Sequence, residues 1–319
     1  MTNPGDLENG VLVGYEGYLF LAGGAHRILD VISGQKQIEA ESLRNFRANI
    51  LSRKDLAADR KFIHIVFPDK QSVVREHFPI ANPLSLGEMY LGHFPELSEI
   101  VFFPLNLLRK HADHVYLKTD THLSDYGILL TLAGLIERIL SEPQCQHLAA
   151  LKEKLTTERL VSGDLGSKLG TPVSSKEKFI AIDWPLRSFH NDLQRNDGIV
   201  DIYFSKKALY PLRVLCFGDS FGRSFSRLAS YFFSEITFLR TRYFHEEIVD
   251  QIQPDIILSE NVERYLDFCT SDEERPSFFM LPYLTAKGYN PSAGFAEAFS
   301  AVLSYPRLSY RRFVEKLFL

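Results

Sequence analysis

The feature that most restricts the fold of this chain is an alternation of short apolar runs with segments of helical periodicity. Because these runs are nearly all apolar, both faces of the strands that they predict must be covered. Such strands, separated by helices, indicate an α/β fold with a mainly parallel sheet and helices on both faces. The predicted strands are 61–68, 99–105, 114–118, 213–217, 235–239 and 254–260, and the predicted helices are 38–60, 124–140, 221–233 and 244–251.

Three regions depart from this alternation. Two apolar runs separated by a glycine turn predict a hairpin over 11–24. Residues 157–205 contain many turn signals and the alternating run "IVDIYFS", which predicts a small inserted β-rich region. After Thr270 the chain becomes rich in Pro and Gly. The sequence therefore predicts one domain over 1–270 and a C-terminal extension over 271–319 that packs on this domain. The extension ends in an amphipathic segment that favours a docked helix over a membrane or partner contact.

Composition argues against several classes of function. A formal charge of −4 gives no basic field that would attract nucleic acid or an anionic membrane, and no apolar stretch approaches the roughly 20 residues that span a bilayer. The three cysteines (Cys145, Cys216 and Cys269) have no zinc-site spacing and cannot all pair with one another, so neither a metal site nor a disulfide framework is expected. No secretory signal is visible, so we expect a cytoplasmic protein, or a periplasmic one if a leader has been removed.

The segment "RVLCFGDSFGRSF", residues 213–225, is the main candidate for a chemical site. An apolar strand passes here through a glycine turn into a helix, and such turns lie at the sheet edge where α/β proteins bind ligands. Gly218 would permit a tight turn and the close approach of a substrate. Ser220 would lie beside the N–H groups of the first helical turn, which favour developing negative charge. Capping of an ordinary helix by Ser220 is the alternative on local sequence alone.

The residues after Ser220 extend this candidate site. Phe221 and Gly222 follow at the start of the helix and are predicted to contribute to an oxyanion or substrate site. Arg223 could support an oxyanion or bind a carboxylate on an acceptor, and a surface arginine is the ordinary interpretation.

Two positions outside this segment carry a functional and an ordinary interpretation as well. Lys70 follows a strand end and is a candidate for binding an anionic group, although a solvated lysine is the simpler interpretation. Glu260 and Arg264 are four residues apart, which favours a local ion pair on a helix.

The segment "YLKTDTHLSDYG", residues 116–127, offers a base for Ser220. A serine hydroxyl becomes a nucleophile at neutral pH when a neighbouring base takes its proton, and histidine is the usual base. Asp120 and His122 lie two residues apart before a helix that begins near Ser124, and a carboxylate on the second ring nitrogen would orient His122. With 10 histidines in the chain, a chance His–Asp neighbour is the alternative. Strand-to-helix junctions of a parallel sheet share one edge, which favours convergence with Ser220.

Together these motifs resemble the SGNH-hydrolase-like domain of the alginate O-acetyltransferase (AlgJ/AlgX-like) family. The resemblance rests on "TDTH" and the downstream "GDSF", and it extends to the segments "VGYEGYLFL" (13–21), "FPDK" (67–70) and "PDIILSENVERYL" (254–266). It implies a flavodoxin-like sheet and an Asp120–His122–Ser220 triad. Two tryptophans of the family are replaced here by Leu123 and Tyr18, so we expect the acceptor pocket to differ from that of the family.

The resemblance implies a serine-dependent O-acetyltransferase acting on a bacterial carbohydrate or polysaccharide precursor. It implies no bound cofactor, acetyl-CoA as a candidate donor and a protein partner in a polysaccharide-assembly system. A carbohydrate acetylesterase with the same triad and a non-catalytic carbohydrate-binding or scaffold protein are the alternatives.

Overall fold

The structure is a computed structural model that describes residues 3–24, 26–142, 145–286 and 288–319. The side chain of Cys145 lies outside the described part. The strands are β1 (Leu7–Glu8), β2 (Val11–Val13), β3 (Leu19–Leu21), β4 (Lys61–Phe67), β5 (Val101–Phe102), β6 (Leu155–Val161), β7 (Ser175–Ile180), β8 (Leu186–His190), β9 (Val200–Ser205), β10 (Tyr210–Gly218), β11 (Phe233–Arg240) and β12 (Ile256–Val262). The helices are α1 (Ile28–Ile32), α2 (Ala40–Leu56), α3 (Lys70–Val73), α4 (Leu86–His93), α5 (Leu105–Arg109), α6 (Ala112–Val115), α7 (Asp125–Leu140), α8 (Cys145–Glu153), α9 (Gly163–Gly166), α10 (Ser220–Ala229), α11 (Glu246–Ile252), α12 (Leu281–Thr285), α13 (Ala293–Val302) and α14 (Leu308–Lys316).

Seven strands of the described chain form the central sheet, in the order β5-β4-β12-β10-β11-β9-β8. Strand β10 runs parallel to both β11 and β12, and β9 and β8 add an antiparallel edge beyond β11. The residues of β10 from Val214 to Gly218 are all buried, as a strand covered on both faces requires. The prediction of an α/β fold with a mainly parallel sheet is confirmed.

The long periodic segments fold as their patterns predict. Helix α7 is buried at twelve of its positions, and the hydroxyl of Ser124 caps it by accepting the Gly127 N–H at 3.1 Å. The N-terminal hairpin forms from β2 and β3, which pair antiparallel. The helices predicted on either side of β11 are present as α10 and α11.

The strand predicted over 114–118 is wrong. Its apolar residues form the end of α6 and a loop, where Val115 and Tyr116 are fully or almost fully buried and the Tyr116 hydroxyl donates to the Pro68 carbonyl. A run of three apolar residues can be buried equally well in a strand, a short helix or a loop, so periodicity alone does not separate these outcomes. The strand predicted over 99–105 is reduced to β5, because a 3-10 turn precedes it and α5 begins after Pro104.

The β-rich region predicted over 157–205 does not form a single insertion. Strands β6 and β7 pair with each other in an antiparallel ribbon. Strands β8 and β9 instead complete the edge of the central sheet. Their alternating pattern reflects this antiparallel edge position, so the pattern predicts β-structure, and the two strand pairs belong to different sheets.

The chain forms two compact units that interleave along the sequence. The first unit comprises Met1–Phe46, Val66–Ile182 and Val262–Cys269, and the second comprises Arg47–Ile65, Asp183–Asn261 and Thr270–Leu319. The chain passes from the first unit to the second between Cys269 and Thr270, and the division into a domain and an extension at residue 270 stays a prediction. The C-terminal segment belongs to the second unit together with most of the central sheet. Within the described ranges, no helix has the length and apolar character needed to cross a bilayer.

Candidate active site

In the first unit, Asp120 and His122 form a hydrogen-bonded pair. His122 Nδ1 lies 2.6 Å from Asp120 Oδ1, and the same oxygen accepts the backbone N–H of His122 at 2.9 Å. The loop therefore curls back on itself, so that two residues only two positions apart meet through their side chains. Burial raises the pKa of Asp120, but the hydrogen bonds and charge of His122 outweigh it and hold the pKa of this carboxyl well below its usual range.

Asp164, which the sequence analysis did not identify, fixes the Asp120 loop from α9. Its backbone N–H donates to Asp120 Oδ2 at 3.0 Å, and its carboxylate accepts from the Thr121 N–H at 2.8 Å and the Thr121 hydroxyl at 2.7 Å. Asp164 lies within "SGDLG" (162–166), one of the turn signals of the 157–205 region, and this segment gives no indication of the partner of Asp164. These bonds hold the carboxylate of Asp120 in place beside the His122 ring.

Asp120, His122 and Asp164 each place one potential metal-ligand atom within 4.8 Å of the others. All four carboxylate oxygens nevertheless accept hydrogen bonds from donors within this group and from Thr121. Because the carboxylate oxygens already accept hydrogen bonds from these donors, we interpret the cluster as a network that orients His122 and not as a metal centre.

Lys70 lies beneath the same loop and is 3 % exposed, so the interpretation of a solvated lysine is wrong. Its ammonium group donates to four backbone carbonyls, those of Leu19 (2.8 Å), Leu117 (2.7 Å), Lys118 (2.8 Å) and Asp120 (3.1 Å). These acceptors surround the ammonium group within the protein. The contacts therefore support a role in holding the Asp120 loop and not the predicted role in binding an anionic ligand.

In the second unit, Ser220 is the first residue of α10, and the residue that caps this helix is Asp219. Asp219 Oδ1 accepts the Phe221 N–H at 2.7 Å, which is the ordinary hydrogen bond of an N-cap side chain. The capping interpretation of Ser220 is therefore wrong by one residue. Because Asp219 caps the helix, the position of the Ser220 hydroxyl is not explained by helix capping.

The amides of Phe221 and Gly222 require a correction to the predicted oxyanion site. The Phe221 N–H donates to Asp219, as described, and the Gly222 N–H donates to Glu260 Oε1 at 3.1 Å. Both donors are thus occupied by carboxyl groups of the protein. The Phe221 side chain is buried with the apolar face of α10, so neither it nor these two amides face a ligand.

Gly218 is required for a protein contact that the sequence did not reveal. A side chain at this position would overlap the carboxyl group of Glu260, whose Cγ lies 2.5 Å from the position that a Cβ would occupy. The close approach to Gly218 that was expected of a substrate is therefore made by Glu260.

The predicted ion pair of Glu260 with Arg264 is wrong. Glu260 lies in β12, and Arg264 Nη1 contacts Asp69 Oδ1 at 2.5 Å.

Arg223 is partly exposed and is held by Asp201 of β9. The carboxylate of Asp201 is fully buried and accepts from Arg223 Nε at 2.5 Å and Nη2 at 3.0 Å, and it lies 2.6 Å from His190 Nδ1. This bidentate pair fixes the guanidinium group one helical turn after Ser220. The predicted role of Arg223 toward an oxyanion or acceptor stays a prediction.

Comparison with known structures shows that solved proteins share this fold, among them the following three. A DHHW family protein from Eubacterium siraeum matches with a TM-score of 0.56 at 14 % identity, over 85 % of this chain and 96 % of that one. Bacillus cereus PatB1 matches with a TM-score of 0.56 at 15 % identity, over 80 % of this chain and 96 % of that one. The O-acetyltransferase domain of Pseudomonas putida AlgJ matches with a TM-score of 0.52 at 14 % identity, over 86 % of this chain and 99 % of that one.

The chain has the fold of the AlgJ domain. The resemblance inferred from the "TDTH" and "GDSF" segments is confirmed at the level of the fold. No family model matches the sequence, and no curated protein matches it. Identities of this size establish the shared fold, and the activity is argued below from the residues of this chain.

Proposed function

We propose that this protein is a serine-dependent O-acetyltransferase that transfers an acetyl group to a carbohydrate hydroxyl. Ser220 is the nucleophile, His122 is the general base and Asp120 orients His122. The observation that carries the proposal is the 2.6 Å contact of His122 Nδ1 with Asp120 Oδ1, in a chain that has the fold of an O-acetyltransferase domain. This contact fixes the ring tautomer with Nδ1 protonated, and Nε2 is then the atom that accepts a proton.

The reaction proceeds in two acyl transfers. In the first, Nε2 of His122 takes the hydroxyl proton of Ser220 while Oγ bonds to the acetyl carbonyl carbon, and the donor group leaves with that proton. In the second, a sugar hydroxyl gives its proton to His122 while its oxygen bonds to the acetyl carbon, and Ser220 leaves and recovers the proton. Acetyl-CoA is a candidate donor. The lowered pKa of Asp120 keeps its carboxylate ionised, which stabilises the imidazolium formed in each step.

Transition-state stabilisation in this proposal does not use the amides of Phe221 and Gly222, since both donate within the protein. Removal of one hydrogen-bond donor from an oxyanion hole lowers the catalytic rate roughly 10²- to 10³-fold. Other donors must therefore supply this contribution.

The proposal is tested by comparing the wild type with Ser220→Ala in the hydrolysis of p-nitrophenyl acetate. We expect turnover by the variant to fall to the buffer background while its circular dichroism spectrum and unfolding midpoint are unchanged. Ser226→Ala, which removes a buried hydroxyl from the same helix, is the matched control and is expected to retain turnover. A Ser220→Ala variant with full activity would remove Ser220 from the mechanism.

The acceptor is tested by measuring acetate release with and without added sugars. Transfer predicts that a suitable sugar diverts acetyl groups from water, so that O-acetylated sugar appears as acetate release falls. Acetate release that no sugar reduces would identify an esterase with the same triad. Failure of a fluorophosphonate probe to label Ser220 would favour a non-catalytic carbohydrate-binding protein.

A further inference from the structure

Glu260 reaches the start of α10 by crossing over a glycine. Strands β10 and β12 are parallel, and Phe217 pairs with Ser259, so Glu260, the next residue of β12, lies at the level of Gly218. Because Gly218 carries no side chain, the Glu260 side chain passes over it toward the first turn of α10. A Cβ at Gly222 would overlap the same carboxyl oxygen. The two glycines of "GDSFG" therefore make room for one carboxyl group.

A single oxygen of Glu260 bonds to the backbone on both sides of Ser220. Glu260 Oε1 accepts the Asp219 N–H at 2.5 Å and the Gly222 N–H at 3.1 Å. The amides at the start of a helix have no partner within the helix, and a buried amide left without an acceptor destabilises the fold. Glu260 thus fixes the residue before Ser220 and the second residue after it.

We propose that Glu260 is a positioning residue, which sets the place of the Ser220 hydroxyl by accepting the amide protons of Asp219 and Gly222. This inference rests on the proposed nucleophilic role of Ser220. Glu260 acts through the backbone of the turn and does not touch the reacting atoms.

The surroundings of Glu260 favour the neutral form of its carboxyl group. Glu260 is 4 % exposed, and its second oxygen is buried without a hydrogen-bond partner in the described part of the chain. The groups that face it are the Asp219 carboxyl of the turn, the buried Cys216 thiol of β10 and the Phe238 ring of β11. Burial, followed by the negative charge of Asp219, raises the pKa of Glu260 well above its usual range. The Cys216 pKa is raised by burial, so this thiol adds no charge at neutral pH.

The sign of the pH effect follows from the raised pKa. Between the ordinary pKa of a glutamate, about 4.3, and the raised value, the folded state holds a proton that the unfolded state has released. Stability attributable to Glu260 is therefore greatest in acid and falls as the pH rises toward the raised pKa. Above that value a second negative charge lies buried beside Asp219, and we expect the turn to lose its position.

The experiment measures the rate at which a fluorophosphonate labels Ser220 across a pH series, with the unfolding midpoint measured in the same buffers. Glu260→Gln keeps the accepting oxygen and cannot ionise, so we expect labelling within about twofold of the wild type at neutral pH and no loss at alkaline pH. Glu260→Ala removes the acceptor, and we expect labelling to fall roughly 10- to 100-fold, since small misplacements of reacting groups cost that much. Glu235→Gln, at a buried glutamate of β11, is the matched control and is expected to leave the shape of the pH profile unchanged.

Hydrogen exchange of the Asp219 and Gly222 amides gives a readout that is independent of activity. We expect protection in the wild type and in Glu260→Gln and its loss in Glu260→Ala. Folded Glu260→Ala with wild-type labelling, or with full protection of both amides, would overturn the positioning role while leaving the proposed function in place. If Glu260→Ala does not fold, an alkaline loss of labelling that persists in Glu260→Gln would overturn it. Absence of wild-type labelling would contradict the proposed function, and the exchange data would still decide whether Glu260 holds the turn.

Discussion

The carboxylate of Asp120 illustrates how single residues define this candidate site. It accepts hydrogen bonds from His122 Nδ1, from the His122 backbone and from the Asp164 backbone, so both of its oxygens are engaged. A carboxylate with this number of donors has little rotational freedom, and the His122 ring to which it bonds is held in one orientation. The arrangement is what a general base requires.

Asp120→Asn is the substitution that tests this orientation. The amide has nearly the same size but can present its NH₂ group to Nδ1, which favours the wrong tautomer, and we expect the rate of p-nitrophenyl acetate hydrolysis to fall by about 10⁴-fold. Asp113→Asn, at an exposed aspartate of the same unit, is the control and should retain activity. Activity within a few-fold of the wild type in Asp120→Asn would contradict the role assigned to Asp120.

The same residue predicts how stability depends on pH. Because the pKa of Asp120 is lowered in the folded state, its contribution is fully present above the ordinary aspartate pKa of about 3.9 and is lost as the pH falls through the folded value. We therefore expect the stability difference between wild type and Asp120→Asn, measured by urea unfolding, to shrink as the pH is lowered from about 5 toward 2. A difference that is constant over this range would contradict the assigned shift.

The sequence identified the residues of the proposed triad better than it identified the residues that support them. Asp120, His122 and Ser220 belong to short motifs with recognisable chemistry, and the 2.6 Å pair of Asp120 and His122 was expected. Glu260 and Asp164 are distant in sequence from the residues they support. Their side chains could be placed only after the register of the strands and the path of the loop were known.

Helix α10 is the element that carries Ser220, the proposed nucleophile. Its buried face, formed by Phe221, Phe225, Leu228 and Ala229, follows the helical spacing in the sequence. Its first turn instead depends on two carboxyl groups from outside the helix pattern, those of Asp219 and Glu260. Periodicity therefore predicts that the helix exists, whereas it does not predict how the turn that carries Ser220 is held.

Gly218→Ala tests the packing at this turn. The added methyl group would overlap the Glu260 carboxyl group, and overpacking of this kind costs about 1–3 kcal/mol in the free energy of unfolding. Gly294→Ala, at a position of α13 where a Cβ meets no atom within 4 Å, is the matched control and should be neutral or stabilising. A Gly218→Ala protein as stable as the wild type by urea unfolding would contradict the contact with Glu260.

At the scale of the whole molecule, the C-terminal segment belongs to the second compact unit. Within the second unit, the Tyr310 hydroxyl of α14 donates to Glu235 Oε2 at 2.7 Å, and Arg213 Nη2 contacts the other oxygen of Glu235 at 2.7 Å. The Arg213 guanidinium group also lies 3.7 Å from the centre of the Tyr305 ring. The amphipathic pattern of α14 predicts a docked helix. The pattern does not reveal the docking contact, which is made to the buried ion pair of Arg213 and Glu235.

Tyr310→Phe removes the hydroxyl from this contact and leaves one oxygen of the buried Glu235 without its donor. We expect the free energy of unfolding to fall by about 1–3 kcal/mol, because a buried polar atom would lose its partner. Tyr283→Phe, at an exposed tyrosine of the same segment, should change stability by less than about 0.5 kcal/mol. Equal effects of the two substitutions would show that α14 is not anchored through Tyr310.

The central claim is that Ser220 carries the acetyl group between donor and acceptor, and trapping that intermediate tests it most directly. Protein quenched in acid during turnover of p-nitrophenyl acetate would be digested and analysed by mass spectrometry. We predict the mass of one acetyl group on the peptide that contains Ser220, its absence in Ser220→Ala and a marked reduction in His122→Ala. Turnover with the acetyl group on another residue, or with Ser220 unmodified under conditions that trap the acyl-enzyme of a known serine esterase, would contradict the claim.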